Sequence, residues 1–167
     1  MTEEVKRNYL EINSLHDLKE GQKPSEDYKV ILIKPTDFQL NKFFYKNIGK
    51  KHKWIDRLIW NEEQWMKYVS NKNVKTFILM KKKDLVGFFE LIIHIEKKEV
   101  EIAYFGILEE YQNKKLGSFL LSDAIKKSFQ QNVVRVWLHT CSLDHKNALN
   151  NYLARGMKIF KSEIVRI

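Results

Sequence analysis

Residues Val100 to Phe119, VEIAYFGILEEYQNKKLGSF, join a strand to a helix through a basic, amide-rich turn. Val100 to Leu108 is apolar, aromatic and β-branched with Glu101 as its one charge, the composition of a buried strand. Leu116, Phe119, Leu120, Ala124, Ile125 and Phe129 recur at helical spacing. Between them, Gln112-Asn113-Lys114-Lys115-Leu116-Gly117 places main-chain N–H groups at the positive end of a helix dipole, where a pyrophosphate fits.

Working outward, Lys75 to Lys82, Leu85 to Ile95 and Glu99 to Leu108 read as an antiparallel meander, with turns at Lys81-Lys82-Lys83-Asp84 and Glu96-Lys97-Lys98. Upstream, Tyr9 to Ser14 and Tyr28 to Lys34 read as strands on either side of a loop at Gly21 to Asp27. Asp37 to Asn47 and Asn61 to Ser70 read as helices. Downstream come a strand at Val133 to His139, a helix from about Lys146 to Arg155 with Asp144 placed to cap it, and a last strand at Lys158 to Ile167. With no repeat or linker, residues 1–167 are expected to form one domain, of which 1–27 is an N-terminal strand-and-loop extension.

The chain has 167 residues, 44% hydrophobic and 13% aromatic, enough to bury one core. Its first residues, MTEEVKRNYLE, are charged, and no apolar run is long enough to span a bilayer; a cytoplasmic location without a membrane partner is expected. One cysteine, Cys141, rules out an internal disulfide, and the five histidines lack ligand spacing, so no metal is expected. The net charge of +9 raises the possibility of a nucleic-acid partner. Lys50-Lys51-His52-Lys53, Lys81-Lys82-Lys83, Lys97-Lys98 and Lys126-Lys127 are instead dispersed along turns and solvated faces, and a polyanionic cofactor explains part of the excess.

The turn at Gln112 to Gly117 resembles that of the GNAT superfamily, the Gcn5-related N-acetyltransferases, where Gln/Arg-x-x-Gly-x-Gly/Ala cradles the pyrophosphate of acetyl-CoA. Gln112 and Gly117 match, while Lys115 stands where a first glycine is usual and Glu109 where proline is common. Trp137 to Asp144, followed by Ala148, Tyr152 and Arg155-Gly156-Met157, is similar to the family's strand, Ala-x-x-x-Tyr helix and closing Gly-Phe, with Met157 in place of Phe. Asp84-Leu85-Val86-Gly87-Phe88 is similar to its turn into the third strand. The resemblance covers roughly residues 28–167 and points to bacterial members of no named substrate class.

It implies an α/β (α+β) fold: a mixed, mostly antiparallel central sheet, splayed between its fourth and fifth core strands, with helices on both faces. It also implies an acyltransferase that moves an acetyl group from acetyl-CoA directly to a primary amine of a small molecule or peptide. The cofactor would lie on Ile107, Leu108, Gln112, Asn113, Lys114, Lys115, Leu116, Gly117, Ser118 and Tyr152, with the Ile107 N–H facing the oxyanion and the Tyr152 hydroxyl near the sulfur. An acyl-CoA-binding module without catalysis is the alternative reading, and a monomer or homodimer fits either.

The acceptor amine must be neutral to attack. With a pKa of about 10.4, exposing its lone pair at pH 7 costs about 4–5 kcal/mol without a base. Glu101, six residues before Ile107, takes the position of the catalytic glutamate in the family's histone acetyltransferases. A hairpin turn centred on Lys97-Lys98 would set Glu101 opposite His94, with Glu90 further along the same face as the reserve base. His94 also fits an ordinary surface histidine. Lys50 to Trp60 would cover the acceptor, with Trp54 and Asp56 framing an ammonium or Trp54 simply packing the core, and His139 at the mouth. Cys141, two residues from His139, raises an acyl-cysteine route as a minor alternative to direct transfer.

Overall fold

A computed structural model describes residues 2–167. The strands are β1 (Glu4–Ile12), β2 (Tyr28–Leu32), β3 (Val74–Lys81), β4 (Asp84–His94), β5 (Glu99–Ile107), β6 (Arg135–Cys141) and β7 (Lys158–Arg166). The helices are α1 (Phe38–Gly49), α2 (Glu62–Val69), α3 (Leu116–Phe129) and α4 (Ala148–Ala154). One seven-stranded sheet runs in the order β2-β3-β4-β5-β6-β1-β7, and β5–β6 is its parallel pair.

The core lies on both faces of the sheet, which is why β4 is apolar almost throughout. Phe88 stacks on Phe44 of α1, with ring centroids 5.0 Å apart, on one face. Phe89 and Leu91 meet Leu120, Leu121 and Ile125 of α3 on the other. Local chemistry sets the helix starts. The Asp37 carboxylate accepts the Gln39 N–H at 3.0 Å ahead of α1, and Asn61 with Gln64 closes a reciprocal capping box ahead of α2. No helix among the described residues is long and apolar enough to cross a membrane.

The first strand begins at Glu4 rather than Tyr9. Its polar residues are held because β6 pairs along one edge and β7 along the other, so main-chain pairing replaces apolar alternation. Ser14, expected within that strand, caps a short 3₁₀ turn instead. From there residues 13–27 return across α3 toward β2. Gly21 comes so near that an added Cβ would lie 2.4 Å from the Ser118 carbonyl carbon. The strand expected at Val133 begins at Arg135 and reaches Cys141, because Cys141 pairs with Arg7.

Two other expectations need correction. Asp144 does not cap α4: its carboxylate folds back on the end of β6, accepting from the Thr140 hydroxyl and, at 2.9 Å, from the Cys141 N–H. The helix starts later, at Ala148, without a side-chain cap. The β4–β5 register also differs, since Ile95–Lys97 wind into a 3₁₀ turn and Lys98 adopts φ 52°. That sets His94 opposite Glu99, and Glu101 opposite Ile92.

Candidate active site

The strands β5 and β6 pair only from Glu99–Glu101 to Arg135–Trp137, then separate. The opening is part of a cavity of about 1000 Å³ that runs from the start of α3, past Glu101, to β1 and β7. At the edge of the opening the Leu108 N–H donates to the Val86 carbonyl at 2.9 Å. By the alternation of an antiparallel ladder, the polar groups of Ile107 therefore turn away from β4 toward the gap. The Gln112 side-chain amide donates to the Ile107 carbonyl there, at 3.2 Å, and Ile107 N–H faces the same side.

The turn ahead of α3 is built for an anion through its main chain. Asn113 and Lys115 both hold positive φ, at 63° and 62°, and α3 begins without a side-chain cap. The first N–H groups of a helix have no partner within it, and successive N–H groups around left-handed residues form an anion-binding concavity. Gln112 contributes less than expected, because its own N–H donates to the Glu109 carbonyl at 3.1 Å. Lys115 occupies the left-handed conformation for which glycine is the ready residue. Gly117 leaves open space beside this turn. Its φ is ordinary and an added Cβ would meet nothing nearer than Asn151 Nδ2 at 3.5 Å, so neither backbone nor packing requires a glycine, and its bare face lines the cavity. Asn113, Lys115, Leu116 and Ser118 line it too. Leu108 is buried toward α1, and the Lys114 ammonium lies over the Tyr111 ring, 5.4 Å from its centroid.

Glu101 lines the cavity, and His94 Nε2 lies 3.2 Å from its Oε1. The pair is diagonal rather than opposite, so the two side chains meet despite the altered register. His94 itself stacks on Trp137, and neither residue lines the cavity. Glu90 shares the sheet face of Glu101 but is fully buried. Oε1 accepts from Arg57 Nη1 at 2.9 Å and from the Tyr68 hydroxyl at 2.7 Å, while Oε2 accepts from Asn41 at 2.8 Å. With both oxygens so occupied, Glu90 anchors Arg57 and the segment between α1 and α2 instead of lining the cavity.

Arg57 is the group that a reading of the sequence missed. Its guanidinium lies 4.1 Å from the Tyr68 ring centroid, 4.3 Å from that of Tyr104 and 4.8 Å from that of Trp60. Burial opposes its charge, but Glu90 and the surrounding tyrosines outweigh that and raise its pKa. An arginine among tryptophans was the available hint, and its partner Glu90 lies too far along the chain to be found from spacing. Trp54 and Asp56 line the same cavity, and Trp54 also packs edge-on to Tyr104 at 4.8 Å between centroids.

On the opposite wall are His139, Cys141 and Tyr152. Enclosure by its neighbours, and then Arg7, hold the His139 imidazole below its ordinary pKa. Tyr152 is buried, which pushes its pKa up, with Asp144 adding to the effect, so the hydroxyl keeps its proton. Burial, then Asp144, also raises the Cys141 thiol, opposing thiolate formation. Among the described residues no group of three or more His, Cys, Asp or Glu is placed to hold a metal ion.

The fold thus sets an uncapped helix N-terminus at the opening of a splayed mixed sheet. Residues 38–157 match the Acetyltransferase (GNAT) family, and the chain belongs to that family. No curated protein is significantly similar to it in sequence. Among solved structures, a GCN5-related N-acetyltransferase from Sphaerobacter thermophilus aligns with TM-score 0.76 at 12% identity, over 97% of this chain and 50% of its own. One from Kribbella flavida aligns with TM-score 0.69 at 14% identity, over 99% and 58%. The chain thus spans about half to three fifths of their length. An aminoglycoside acetyltransferase from an uncultured soil metagenomic sample aligns with TM-score 0.65 at 13% identity, over 80% of this chain and 90% of its own. At these identities the likeness is one of fold.

Proposed function

We propose that residues 1–167 form one acetyl-CoA-dependent N-acetyltransferase domain that transfers the acetyl group directly to a primary amine. The observation that carries this is the sharing of one cavity by the uncapped start of α3 and the Glu101 carboxylate, on either side of the splay. Asn113 to Ser118 would hold the pyrophosphate of acetyl-CoA, which supplies an activated acetyl thioester when bound. Glu101 receives the proton that the acceptor ammonium must lose. His94, at 3.2 Å, orients the carboxylate. The Ile107 N–H is a donor for a carbonyl oxygen placed in the gap, and the Tyr152 hydroxyl, protonated at neutral pH, is a donor for a departing thiolate.

Titration calorimetry with CoA, followed by acetyl-CoA turnover with amino acids, polyamines, aminoglycosides and peptide lysines, tests the reading. CoA binding with amine-dependent release of free thiol is the expected result. Binding without turnover of any amine would leave a CoA-binding module, and failure to bind CoA would remove the proposal altogether.

A further inference from the structure

Resting on that reading, we propose that the acceptor is a small amine that also carries a carboxylate, with its amine at Glu101 and its carboxylate on Arg7. Arg7 lies on β1, opposite Cys141 of β6, and lines the cavity. Glu101 lies beside Trp137 at the other end of the same stretch of β6. His139, between Trp137 and Cys141, is thus flanked by the carboxylate from β5 and the guanidinium from β1.

The arginines around the sheet differ in how fully they are paired. Arg135 donates to Glu11 and to Glu99, Arg57 to Glu90, and Arg166 lies 3.3 Å from Glu4. Arg7 is 3.9 Å from Glu163 Oε1, beyond hydrogen-bond reach, and that oxygen already accepts from the Tyr9 hydroxyl at 2.7 Å. Among the described residues, Arg7 Nε is buried with no partner, as is Nε of Arg155, but of the two only Arg7 lines the cavity. A half-buried guanidinium with unfilled donors on a cavity wall is suited to a planar carboxylate. The other pole, Glu101 with Asp56 across the cavity, is suited to an ammonium.

Enclosure favours a small acceptor. Residues 50–61 roof this end and are tied on three sides: His52 Nδ1 to the Leu143 carbonyl at 3.0 Å, Lys53 to Glu3 just ahead of β1, and Arg57 to Glu90. A peptide lysine would have to thread beneath that roof, whereas a free amino acid is short enough to lie within it.

Matched acceptors test the proposal: lysine against cadaverine, phenylalanine against phenethylamine, and a lysine-containing peptide. The parent enzyme should favour the carboxylated member of each pair about 10–100-fold in kcat/KM, the scale of a charged hydrogen-bonded contact. In Arg7→Gln that preference should fall to within about threefold of unity, and Arg7→Lys should keep part of it. Calorimetry with CoA on the same variants should show affinity near that of the parent. Equal use of both members by the parent, a preference undiminished in Arg7→Gln, or faster turnover of the peptide than of either free amino acid would overturn the proposal while leaving acetyl transfer standing. CoA binding without turnover of any amine would instead overturn the acetyl-transfer reading, and this one with it.

Discussion

At the end proposed for the cofactor the cavity is lined largely by one continuous stretch, Ile107 to Ser118, with α4 beside it. At the end proposed for the acceptor it is made of side chains drawn from β1, β5, β6 and the segment between α1 and α2. The first kind of site rests on backbone conformation, and Lys115 holds the left-handed conformation that its turn requires. The second depends on the whole fold being in place. It also separates groups by environment: Glu90 and Glu101 share a sheet face, yet one is fixed in an ion pair and the other opens onto the cavity.

The largest effect expected from breaking this contrast is at Glu101. Glu101→Gln should lower turnover by about 10²–10⁴ while CoA affinity, read by calorimetry, stays within about threefold. A loss below threefold would take the base role from Glu101. Glu90→Gln should act on stability instead. It leaves Arg57 buried without its counter-charge, at a cost of about 3–5 kcal/mol in denaturant unfolding, against under about 1 kcal/mol for Glu101→Gln. Equal losses in the two variants would show that the two environments are energetically alike.

At the cofactor end, Gly117→Val should weaken CoA about 10–100-fold, because its methyls enter the space left beside Asn151. Its unfolding midpoint should hardly move, since valine is no worse than glycine within a helix. A marked loss of stability with CoA affinity intact would reverse the assignment of that glycine from ligand to fold. The smallest effect is at Lys115. Lys115→Gly relieves the left-handed strain but loosens the unfolded chain, and should raise stability by roughly 0.5–1 kcal/mol in thermal unfolding. A decrease would mean that the lysine side chain contributes more than its backbone costs.

How much of this was legible follows the same division. The meander of β3 to β5 and helices α1 to α3 emerge within a few residues of where apolar periodicity, Asp37, Asn61 and the lysine-rich turns place them, because each signal is local. The turn from Gln112 to Ser118 is likewise continuous in sequence. The register at Lys98 was not legible, since it depends on a single left-handed residue that lengthens one side of the hairpin. Asp144 was misread because an aspartate ahead of a helix can equally close a turn on the strand before it. Arg57 and Glu90 lie 33 residues apart, and Arg7 and Cys141 pair across nearly the whole chain, so neither partnership can be read from spacing.

The place of β1 bears on how the chain reaches this state. β1 is made well before its partners, β6 and β7, so during synthesis it waits through most of this sequence with both edges open. Sequence separation of that size slows folding, because loop-closure entropy is lost before any pairing compensates for it. Closure of the sheet around β1 is then a late event, and until it happens Arg7 and the wall it belongs to do not exist. A chain trimmed through β1 therefore lacks Arg7, and with it the wall proposed to hold the acceptor's carboxylate.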